Sequence, residues 1–200
     1  MELEKAVHQL AEIHTQMSKT EFYRGFKAIP VALTGMSSFI AAGLQPLWVT
    51  SHQPMHFINY WGALALLNVV FMSMILAYEY LFRENRLERR KTKAVLMQFF
   101  PALAAGALLT FVASEIQGEF LWYMPALWAL IFALGVFACR PYYPPRIFWV
   151  GSYYLLASAI LFKLGFHQTS LFPWGMGLTF GFGQILVASM LYWDLERHGK

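Results

Sequence analysis

The side chains of this sequence that could do chemistry form three sets. His52, His56, Glu115, Glu119 and His167 offer imidazole and carboxylate, the donors that zinc and other borderline metals accept. His52 and His56 have the four-residue spacing of one helix face, but Pro54 stands between them and interrupts regular helical bonding. Exposed loop residues, with no metal and no cofactor, are the expectation for this set. Asn68 and Gln184 make up the second: amides inside long apolar runs, where a polar group must find a partner or a ligand. The third is Arg83, Arg86, Arg89, Arg90, Lys91 and Lys93, whose six charges less those of Glu84 and Glu88 give +4, the net charge of the whole chain.

Motifs for making and breaking bonds are missing. The sequence contains no GxSxG elbow, HExxH pair, P-loop or dinucleotide fingerprint. Gly151-Ser152 has no deep histidine to activate the hydroxyl. Cys139, the single cysteine, can enter neither an intrachain disulfide nor a cysteine-rich metal site. Every histidine lies outside the long apolar runs, so haem held by two histidines within a bundle is not expected either. A non-enzymatic protein is the expectation.

The elements that must carry these residues follow from composition. Hydrophobic residues are 58% and charged residues 13% of the chain, against about a quarter charged in an ordinary soluble protein. Apolar stretches at approximately 28–48, 58–82, 95–114, 120–139, 147–165 and 171–193 each suffice to cross about 30 Å of hydrocarbon at about 1.5 Å per residue. Their uninterrupted apolar character excludes the alternation of a barrel. The predicted fold is an all-α integral membrane protein, a six-transmembrane-helix bundle over 27–194 with a basic loop over 83–94 and a tail over 195–200. Ahead of it, over 1–26, Leu3, Val7, Leu10, His14 and Met17 recur at heptad spacing among Glu2, Glu4, Lys5, Gln9 and Glu12, which predicts an amphipathic helix.

Charge then assigns the sides. Of 15 lysines and arginines, all but Lys163 fall on the N-terminal extension, the second and fourth connections and the tail. The positive-inside rule places both termini and the basic loop in the cytoplasm, in a multi-pass protein expected in a bacterial inner membrane. The basic run is first an orientation signal and second an attraction for anionic membrane lipid; nucleic acid is not an expected partner. Three acids and two lysines through residue 19 do not make the strongly basic face of a membrane-surface helix. The extension is therefore expected to dock a protein (a partner, a second copy in a homo-oligomer, or its own basic loop) or to lie along the interface steadying the first transmembrane helix.

No charge falls near the expected midplane, which disfavours proton-coupled transport of a charged substrate. Glu79 has Arg83 one turn later for an interfacial ion pair. Asn68 and Gln184 sit roughly 15 to 18 Å deep at helical rise and could bond each other across facing helices or line a neutral cavity. Gly177 and Gly181 make a small-xxx-small pair whose face continues through Gln184 and Ala188, and Gly35, Ser38, Ala42 and Gln45 make a similar seam in the first helix.

In its six helices, inside termini and the pair Ala28-x-x-x-Ala32, the chain resembles the substrate-capturing subunits of energy-coupling vitamin transporters. That resemblance implies a solute-binding subunit that meets a coupling partner through Ala28 and Ala32. The residues themselves favour a non-enzymatic membrane subunit or regulator that docks a cytoplasmic partner through the N-terminal helix and the basic loop. The alternative is a small-solute transporter or substrate-binding subunit with a neutral cavity near Asn68 and Gln184.

Overall fold

A computed structural model describes residues 22–23, 25–49, 54–116, 118–167 and 171–197. Leu3, Val7, Leu10, His14 and Met17 of the extension, and His52, lie outside the described residues. All regular structure among the described residues is helical, and six helices are long and apolar enough to cross a membrane. The chain is an all-helical, multi-pass membrane protein.

The helices are α1 (Ala28–Trp48), α2 (Pro54–Phe82), α3 (Arg86–Ile116), α4 (Met124–Ala138), α5 (Ile147–Phe166) and α6 (Pro173–Glu196). Short 3-10 turns at Glu119–Tyr123 and Arg140–Tyr142 flank α4. Proline starts three of the six: Pro54 opens α2, Pro125 lies in the first turn of α4, and Pro173 opens α6, positions where the missing N–H is one the helix leaves unpaired anyway. Pro54 therefore begins α2 about a turn before residue 58, where the apolar run starts.

Two expectations change at the basic end. The stretch expected as a loop over 83–94 is helical from Arg86, and α3 runs through it. Asn85 Oδ1 accepts the N–H groups of Leu87 and Glu88 at 2.9 and 3.0 Å, while Glu88 Oε2 accepts the Asn85 N–H at 2.9 Å. This reciprocal capping box satisfies the donors that a helix start leaves free. The tail expected over 195–200 is likewise helical at its start, since α6 continues to Glu196 and buries Leu195.

α1 lies against α6, joining the two ends of the chain; α4 packs between α3 and α5, α5 meets α6, and α2 leans on α1. The α1–α6 seam is made by small residues. A Cβ placed on Gly177 would fall 2.6 Å from the Ala42 Cβ, and one on Gly35 would fall 2.8 Å from the Gly181 carbonyl oxygen. Only hydrogen in place of a side chain lets these backbones approach so closely. Gly177–Phe182 winds as a π-helix, and within it the Leu178 carbonyl accepts the Tyr153 hydroxyl at 2.7 Å.

Three apolar clusters fill the bundle, one around Val95, Val150, Tyr154 and Leu191 near the basic end, one around Ala42, Phe57, Trp61 and Met124 toward the other, and a small one of Ala126, Ala129 and Leu161 between α4 and α5. The most apolar windows of α2 and α3 are only 11% and 6% buried. Those helices form the outlying edge of the bundle, with Leu66, Met74, Phe100 and Leu108 facing out. In a bilayer such faces need no burial, because hydrocarbon is as good a solvent for them as a protein core.

Candidate functional site

The densest polar structure lies at the basic end, beginning with the α2–α3 turn. Arg83 pairs with Glu79 at 3.4 Å. Arg89 folds back, donating from Nη2 to the Leu81 carbonyl at 3.1 Å with its guanidinium 5.2 Å from the centre of the Tyr80 ring. Thr92 donates its hydroxyl proton to Glu84 at 2.6 Å. Of the six basic residues, Arg89 thus fastens α3 to α2, and Arg83 is paired within the end of α2 itself. Arg86, Arg90 and Lys93 make no ion pair or hydrogen bond among the described residues, and Lys91 is half-buried.

The segment before α1 is tied to this end at two points. Phe22, Tyr23 and Gly25–Lys27 are not helical, so the helix expected over 1–26 does not extend through them. Instead the Tyr23 N–H bonds the Tyr142 carbonyl at 2.8 Å, between α4 and α5, and its ring stands edge-on to Phe26 and Tyr143. The Tyr23 hydroxyl is buried beside Thr92, whose own hydroxyl is given to Glu84. Burial, with the Glu84 and Glu79 carboxylates adding to it, pushes this phenol well above its ordinary range. At the second point the Ala28 N–H, free at the start of α1, donates to Glu196 Oε1 of α6 at 2.8 Å.

Between these points an open cleft of about 400 Å³ is lined by Phe22, Pro144, Pro145, Arg146 and Asp194. Arg146 and Asp194 form an ion pair at 2.8 Å on its wall, and the second oxygen of Asp194 is buried with no partner among the described residues. Two prolines and a phenylalanine give the cleft apolar walls beside one charged pair. Cys139 is close by but buried, its thiol 3.7 Å from the Val95 carbonyl, and burial pushes it up to about 11.

The two deep amides do not meet. Asn68 Oδ1 accepts the Ser37 hydroxyl at 3.1 Å, whereas the Gln184 Cβ lies beside Gly35. Residues two apart on a helix point about 200° apart, so α1 stands between the amides and they share neither a bond nor a single cavity wall. Gln184 has no hydrogen bond among the described residues. Gly177 and Gly181 pack on Ala42 and Phe39 of α1.

At the other end His56, Glu115, Glu119 and His167 are each exposed, and among the described residues no three His, Cys, Asp or Glu side chains converge on a point. The polar centre there is Gln45, which the sequence placed on the small-residue seam of α1 and not in a polar bridge. Gln45 Oε1 accepts the Trp61 indole N–H at 2.8 Å, while its Nε2 donates to the Leu171 carbonyl at 3.2 Å. Trp61 is buried. Ala28 is buried and Ala32 packs on the same cluster, so the Ala28/Ala32 face is turned into the bundle rather than offered to a coupling partner.

Tyr23, Glu196, Asn85 and Glu88 were also not anticipated as site residues. Only the Asn85-x-x-Glu88 spacing carried a local signal; the others work through contacts across as many as 168 positions of chain. No protein-family model, curated protein or solved structure matches this chain.

Proposed function

We propose that this chain is a non-enzymatic membrane subunit or regulator whose basic end faces the cytoplasm and docks a cytoplasmic protein, the N-terminal extension and the adjoining basic stretch forming the contact. The observation that carries the reading is the double fastening of the segment before α1, by Tyr23 to Tyr142 and by Ala28 to Glu196. A segment fastened at Tyr23 and Ala28 gives the residues before it a fixed base, which lowers the ordering cost of capture. The cleft lined by Phe22, Pro144 and Pro145 opens beside that base and offers an apolar floor with the Arg146–Asp194 pair at its edge.

The cavity reading has less support, because α1 separates Asn68 from Gln184 and Asn68 is already engaged by Ser37. A photoreactive phenylalanine analogue introduced at Phe22 or Pro145, and at Trp174 at the opposite end, tests the docking reading in cells. Covalent adducts to one protein from the first two positions and none from Trp174 are expected. Adducts from Trp174 alone would move the interaction to the other side of the membrane.

A further inference from the structure

The three cations left over from the α2–α3 turn are not scattered. At about 100° per residue, Arg86, Arg90, Lys93, Met97, Phe100, Ala104, Leu108 and Phe111 fall within about 40° of one line along α3. All eight are exposed, and Met97, Phe100, Leu108 and Phe111 are each 64–67% exposed, the values of side chains with no protein cover. The opposite stripe, Thr92, Val95, Phe99, Ala102, Gly106 and Ala113, is the one turned inward, toward α4. One helix thus presents a face that is cationic for its first two turns and apolar for the rest.

Distances fix where that change occurs. From Lys93 to Phe111 is 18 residues, about 27 Å of helix, close to the hydrocarbon thickness of about 30 Å. Lys93 therefore stands at the hydrocarbon boundary. Arg90 and Arg86 follow at about 5 and about 10 Å beyond it, through the layer that lipid headgroups occupy. The cations lie where phosphates lie, and directly below them the same face meets acyl chains.

We infer that this face of α3 is a binding site for an anionic phospholipid, its phosphate held by Arg86, Arg90 and Lys93 and its chains laid along Met97, Phe100 and Leu108 past the small Ala104. Charge complementarity favours this occupant: three cations unpaired among the described residues suit a phosphate, the one acid on the same line, Glu115, stands about 33 Å away at the far end of the helix, and the apolar continuation between them suits a lipid rather than a soluble anion. Arg83 and Arg89 of the same sequence run are excluded by their own partners, Glu79 and the Leu81 carbonyl. The inference does not rest on the docking reading, since it concerns the membrane flank of α3 and not the cleft.

The test is native mass spectrometry of the full chain, delipidated in mild detergent and titrated with equal amounts of phosphatidylglycerol and phosphatidylcholine. The variant Arg86→Gln, Arg90→Gln, Lys93→Gln is compared with Arg140→Gln, Lys163→Gln, Arg197→Gln, which loses the same charge elsewhere. The parent is expected to retain phosphatidylglycerol over phosphatidylcholine, the stripe variant to lose that preference by at least about tenfold, and the control to keep it. The swap Arg86→Lys, Arg90→Lys, Lys93→Arg should also keep it. Equal loss in both glutamine variants would reduce the effect to net charge, and no loss in either would remove the site; each overturns the inference. A preference that arises only after deletion of residues 1–20 would make the acidic extension the occupant instead, and would overturn it as well.

Discussion

At the scale of single residues, the informative groups are polar atoms that the fold has already committed. Gln45 bridges three segments through its amide, and replacing it by leucine strands the buried Trp61 N–H. We expect Gln45→Leu to cost about 1–3 kcal/mol, read as a lower melting temperature in detergent. Asn68→Leu removes one bond to Ser37 and Gln184→Leu removes none, so the first should lower the melting temperature more than the second. Neither should alter partner capture. Cys139 provides a check on the buried surround of the basic end. Its thiol, pushed from 9.0 to about 11 by burial, stays protonated at neutral pH. Maleimide should label it slowly in the folded protein and quickly after denaturation, with the folded-state rate rising as pH climbs toward 11. The linkage has the same sign: the protonated thiol is the form the fold favours, so its contribution is intact below the ordinary thiol range and is lost as pH rises through the folded value. Fast labelling of the native protein at neutral pH would contradict the burial described.

At the scale of elements, the six spans are legible because lipid demands long apolar runs with internally satisfied backbones, and that demand is written in composition alone. Where α3 begins is a different matter. Hydrophobicity marks the start of the membrane-embedded part near residue 95, but the helix is set by capping and propensity, and these act on charged residues as well as apolar ones. The Asn85-x-x-Glu88 box places the start at Arg86. Asn85→Ala should cost about 1 kcal/mol and loosen the α2–α3 turn, seen as faster amide exchange at Leu87 and Glu88. The α1–α6 seam was readable in part, as two lists of small residues; that the two lists meet each other depends on how the chain closes, which no local pattern reports. Gly177→Leu drives a side chain into Ala42 and should destabilise the bundle by about 1–3 kcal/mol or more. An unchanged melting temperature would show that α1 and α6 can separate freely.

At the scale of the whole molecule, the two ends differ in kind. The basic end gathers the start of α1, the end of α6, the α2–α3 turn and the α4–α5 connection around Tyr23 and Glu196, whereas the opposite end has Gln45 and Trp61 as its buried polar bridge. Sequence located the basic end by counting charges, but could not show that the segment before α1 is fastened there, because Tyr142 and Glu196 are distant in the chain and unremarkable in type. If this end captures a protein through the N-terminal extension, capture must depend on residues 1–20. The most direct measurement is native mass spectrometry of the full chain and of a form lacking residues 1–20, each extracted from its own membrane in mild detergent. A stoichiometric protein adduct is expected on the full chain and not on the shortened, still inserted form. Equal capture by the shortened form, or a small-molecule adduct that disappears on Asn68→Leu, would contradict it.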